Sequence, residues 1–204
     1  MDKVRSVQRT GGWSGLHKRY RRAAHHALQE IKCAHSELGK LSTMLDAASG
    51  GTGLKRLLDE YIAKLEVYCN LAASAQMYCA MAIEALLNFY GVSRLGETFY
   101  RRNLERLPVI QKFEMLMAIC EGNLYTKEND LSEVLQKIAG RRNALVHPKA
   151  HEFLAGKGAH HVEPGDWPNR IPKDVKGAID DMELFFKKFS ALSVDCRAAV
   201  EFFD

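Results

Sequence analysis

From residue 54 to residue 91, apolar side chains recur at alternating steps of four and three. The row runs Leu54, Leu58, Tyr61, Leu65, Tyr68, Ala72, Ala75, Cys79, Ala82, Leu86 and Phe89. Such spacing keeps one face of an α-helix apolar along its whole length and, if unbroken, gives a rod about 50 Å long. From Ala72 onward the helix is apolar on nearly every side, as expected of a central helix with others packed around it. The stretch 71–92 also holds Gln76, Glu84 and Asn88, which argues for burial inside a protein and against a membrane span.

No useful length of the chain alternates with period two, and the other segments are helical as well. A first helix over about 14–48 puts Leu16, Tyr20, Ala24, Ala27, Ile31, Leu38 and Leu41 on one face. The run Ser49-Gly-Gly-Thr-Gly53 breaks it and offers Thr52 as a cap for the next helix. Pro108 opens a short third helix that ends near 121–122. A fourth, over about 129–147, is stopped by Pro148. Prolines, glycines and His160-His161 make 150–172 read as a long loop. A last helix over about 173–203 carries Val175, Ile179, Met182, Phe186, Phe189 and Cys196 on its inner face. The expected fold is all-α, an antiparallel bundle of about five helices forming one domain over 1–204.

Composition narrows the classes further. With 204 residues, 47% of them hydrophobic and 26% charged, the chain is an ordinary globular one with room for a sizeable core. A net charge of +4 permits an acidic partner without demanding one. Five cysteines are odd in number and scattered, without a Cys-x-x-Cys pair, and read as reduced, mostly buried thiols of a cytoplasmic protein. The first thirty residues lack an apolar signal-peptide core. Nothing calls for a cofactor or a metal: His147 and His151 have ligand spacing, but Pro148 interrupts the helix between them.

The stretch Ala139-Gly-Arg-Arg-Asn-Ala-Leu-Val-His-Pro148 carries the chemistry. Leu131, Leu135, Ile138, Leu145 and Val146 form an apolar stripe, and Arg142 falls on it, so its guanidinium is expected to need an anion. Glu84 is the only formal charge between Glu66 and Arg94, and it is the expected partner, with Asn88 one turn further along. That pair reads equally as an internal salt bridge that fixes helix packing. His147 lies one turn past Asn143, and a fixed cation beside a group that titrates near neutrality suits phosphodiester cleavage.

Arg142, Asn143 and His147 together resemble the signature of the HEPN superfamily, an arginine, a polar residue and, after a short gap, a histidine. The upstream helix Ala82-Ile-Glu-Ala-Leu-Leu-Asn-Phe-Tyr90 and the segment Leu107-Pro-Val-Ile-Gln-Lys-Phe-Glu-Met-Leu-Met117 extend the likeness, which covers about 54–149. The resemblance implies metal-independent RNA cleavage at a site shared by two protomers, in a toxin or host-defence effector with a cognate antitoxin. It implies that Arg142 stabilises the scissile phosphate, that His147 is the general acid or base, and that Asn143 positions it. Arg141 is a secondary phosphate contact on that reading. The same superfamily holds non-catalytic modules that bind nucleotide, RNA or protein, and a structural helical adaptor is a third reading. Lys18, Arg19, Arg21 and Arg22, with Tyr20 among them, read either as an RNA-backbone contact or as a solvated helix face.

Overall fold

The computed structural model describes residues 15–48, 50–124, 130–146 and 167–201. These residues form helices and turns without a strand, so the all-α class holds. The helices are α1 (Leu16–Ala47), α2 (Thr52–Leu95), α3 (Glu97–Asn103), α4 (Val109–Leu116), α5 (Asp130–Val146), α6 (Trp167–Ser190) and α7 (Val194–Glu201). A single π-helical turn, Met117–Glu121, continues α4.

α1 and α2 form an antiparallel hairpin. The register is fixed where Tyr20 stacks on Tyr78, where the Tyr68 hydroxyl meets His35 Nδ1 at 3.2 Å, and where Lys64 Nζ donates to Glu37 at 2.5 Å. The chain reverses through Gly50 and Gly51, whose φ angles of 76° and 93° lie where a side chain is costly. Thr52 is the first helical residue, and no side chain caps the helix there, so the expected cap is not made.

The buried part of α2 begins at Tyr68 and runs to Val92. Around it lie α1, α5, α6 and α7, with α3 and α4 at its C-terminal end. The centre of the core is aromatic: Phe113 from α4 and Phe185 and Phe189 from α6 are fully buried, and Tyr90 meets Phe189 edge-on. Burial of each such ring contributes on the order of 2–3 kcal/mol. At the far end, the Tyr90 hydroxyl donates to Glu121 in the π-turn, and Arg94 pairs with Asp195 of α7. Burial pushes the Cys79 thiol up to about 12, so it stays protonated and packs as a small apolar group. Cys79 and Cys196 are buried, Cys69 and Cys120 are partly so, and Cys33 is exposed, so the expectation of mostly buried thiols is met only in part.

Three expectations change. α2 does not stop at Gly91 but continues to Leu95, because Gly91 is a packing position: a Cβ there would stand 2.4 Å from the Tyr100 ring. α3 is an additional helix. The last helix begins at Trp167, inside the expected loop, carries Pro172 within it, and gives way to α7 through a turn at 191–193. Pro172 removes one backbone bond near the helix start, where the loss is small.

Candidate functional site

A cleft of about 660 Å³ opens between α2, the turn joining α3 to α4, and α5. Its polar lining is Glu84 from α2, Glu105 and Arg106 from the turn, and Arg142 and Asn143 from α5. Ile83, Ile110, Leu135 and Ile138 supply much of its apolar wall. The structure thus brings Glu84, Arg142 and Asn143 to one place.

Their electrostatics differ from expectation. Leu131, Val134, Leu135 and Ile138 are the buried row of α5, but the row leaves the packed layer one turn later. Arg142 and Asn143 are exposed as a result, and Leu145 is 37% exposed. Arg142 therefore has no burial to compensate. No ion pair joins it to Glu84 among the described residues, although both line the cleft. Arg141, expected as a phosphate contact, instead turns to α6 and pairs with Asp181 at 2.6 Å.

The cation that Glu84 meets is Lys112 of α4, which is 0% exposed. Its ammonium donates to Asn88 Oδ1 at 2.8 Å and to Glu84 Oε1 at 3.4 Å. The Tyr100 hydroxyl donates to the same Asn88 oxygen. Burial holds the Lys112 ammonium below its ordinary value, while the Glu84 carboxylate pulls it back up. Burial also pushes the Tyr100 hydroxyl upward, helped by the charges of Glu105 and Glu84. Glu84 is not a buried carboxylate, since its side chain is 41% exposed and one end reaches the cleft. Asn88 supports it indirectly, by fixing Lys112 beneath it.

Sequence reasoning missed Lys112, Glu105 and Arg106. The signal for Lys112 was present: it lies on the same helical face as Leu116, four residues on, and so points inward. Glu105 and Arg106 sit in a turn, where periodicity carries no information about direction.

Two of the four basic residues that open α1, Lys18 and Arg21, are engaged within the fold. Arg21 grips Glu183 of α6 through two bonds of 2.7 and 2.5 Å and lies over the Phe186 ring. Burial raises the Glu183 carboxyl, but its bonds from Arg21 and His25 outweigh this and hold it below its ordinary value. Lys18 Nζ donates to the Glu201 carbonyl at 3.3 Å. Arg19 and Arg22 are exposed. His147 lies outside the described residues.

Among the described residues, no helix is long and apolar enough to cross a membrane. Comparison of the chain with protein-family models, with curated proteins and with solved structures finds no match.

Proposed function

We propose that the protein is a metal-independent endoribonuclease of the HEPN type, acting on RNA as a homodimer, in a toxin or host-defence role. The observation that carries this reading is the place of Arg142: exposed at the rim of a cleft, beside Asn143, in an Arg-Asn-x-x-x-His motif. A guanidinium at a cleft rim is available to a phosphate in a way that a buried, paired one is not.

In the proposed reaction the RNA 2′-oxygen attacks the adjacent phosphorus and the bond to the 5′-oxygen breaks, leaving a 2′,3′-cyclic phosphate. His147 takes the proton from the 2′-hydroxyl or returns one to the departing 5′-oxygen. Arg142 stabilises the charge that builds on the phosphoryl oxygens. One arginine and one histidine make a sparse site, and a two-fold dimer that juxtaposes two copies of α5 doubles both.

The test is cleavage of single-stranded RNA in excess EDTA, with DNA of the same sequence surviving because it lacks the nucleophile. Arg142→Ala and His147→Ala are each expected to lose about a hundredfold or more in rate. Light scattering is expected to show a dimer. One observation favours a second reading, a module that binds nucleotide, RNA or protein without cleaving: Glu84 and Glu105 share the cleft with Arg142 and oppose a phosphodiester there. If wild type and both variants leave a broad RNA panel equally intact, that reading replaces the first.

A further inference from the structure

The cleft is not isolated. Glu105 and Arg106 line both it and a neighbouring hollow of about 640 Å³ on α3. Glu97, Thr98 and Arg102 in turn line that hollow and a third, of about 620 Å³, which also takes in Phe99. Through these shared residues the three hollows adjoin, and the groove they form together is lined successively by Arg142, Arg106, Arg102 and Phe99.

The charges along it do not cancel. Glu84 is met by Lys112 from below, and Glu97 by Arg101 at 2.8 Å. That leaves the guanidinium groups of Arg102, Arg106 and Arg142 against the carboxylate of Glu105, among the described residues. Arg102 and Arg106 are exposed, and no ion pair holds either of them among the described residues. Phe99, 45% exposed at the end of the groove, offers an aromatic face.

We infer that this groove is a track for a single strand of RNA, with Arg106 and Arg102 on consecutive backbone phosphates and a base stacked on Phe99. Cations in a line along a groove suit a phosphate backbone, and a solvent-facing ring at the end suits an unstacked base, which a duplex does not present. The inference rests on the reading of Arg142 as a phosphate contact, and it places the binding surface on α3, away from the basic segment of α1.

Fluorescence anisotropy with the full chain tests it, using a labelled single-stranded RNA oligonucleotide over a series of salt concentrations. Each phosphate contact contributes about 0.7 to the slope of log K against log salt, so Arg102→Ala/Arg106→Ala should flatten that slope by about 1.4. Phe99→Ala should weaken binding about tenfold and leave the slope alone. Arg56→Ala, an exposed arginine on α2 outside the groove, should change neither.

An unchanged slope in the double variant overturns the inference, as does a wild type that binds no RNA. Cleavage is assayed separately. Binding that depends on Arg102 and Arg106 without cleavage upholds the track and removes the ribonuclease. Cleavage with no dependence on either arginine upholds the enzyme and removes the track.

Discussion

Asn88 accepts two hydrogen bonds at one oxygen, from the Lys112 ammonium and the Tyr100 hydroxyl. Both donors are fully buried, so the amide is what keeps them satisfied. Asn88→Leu keeps the shape but takes this acceptor from both and leaves Lys112 the longer 3.4 Å contact with Glu84, which should cost about 2–4 kcal/mol in urea unfolding. Lys112→Met should behave differently. It removes the buried cation itself, Glu84 is exposed enough to be hydrated, and Asn88 keeps its tyrosine donor, so the change should stay within about 1 kcal/mol. Equal losses in the two variants would refute this account. The pH dependence carries a sign. Because burial lowers the Lys112 value from its ordinary 10.5, the native state binds fewer protons than the unfolded chain between the two values. The penalty is complete below the folded value and fades as pH rises towards 10.5. Wild type should therefore gain stability relative to Lys112→Met between neutral pH and about pH 10. At this scale the site was half legible. Glu84, Arg142 and Asn143 do share a cleft, but which cation met Glu84 was not readable. A helical period says which way a residue points and not where the neighbouring helix stops covering it.

Within α2, Gly91 illustrates how one position can reverse a propensity. Replacing a helical glycine by alanine normally stabilises by about 0.5–1 kcal/mol. Here the new methyl would meet two Tyr100 ring carbons at 2.4 and 2.5 Å and a Leu116 methyl at 3.0 Å. Tyr100 is buried and its hydroxyl is tied to Asn88, so the ring cannot swing aside. Gly91→Ala should be destabilising by about 2 kcal/mol, a drop visible in thermal melting. A variant as stable as wild type would mean that α3 packs less closely than described. The four-three apolar period was read only as far as this glycine, whose smallness serves the approach of another helix. Strong periods, those of α1, α2 and the later part of α6, were legible with their inner faces. α3 was not, being seven residues long with too few turns to show a period. The start of α6 was hidden by prolines that a helix tolerates near its beginning.

For the molecule as a whole, the uneven dressing of α2 matters most. Among the described residues, none of its first sixteen is buried, whereas buried positions recur from Tyr68 to Val92. Leu58 and Ile62 remain about half exposed on that uncovered stretch. Opening the arm thus exposes little apolar surface, and its local stability should be low. Amide hydrogen exchange should accordingly be faster over 52–64 than over 72–92, in the same helix and the same experiment. Uniform protection along α2 would contradict this. The glycine turn at the tip of that arm has an engineering use. Thirty-two residues of helix separate Thr52 from Glu84, about 48 Å at the α-helical rise. Gly50 and Gly51 are exposed, with nothing near them to be displaced. A fluorescent domain or a surface tether spliced between them would ride on the arm, leaving the cleft and α3 unobstructed.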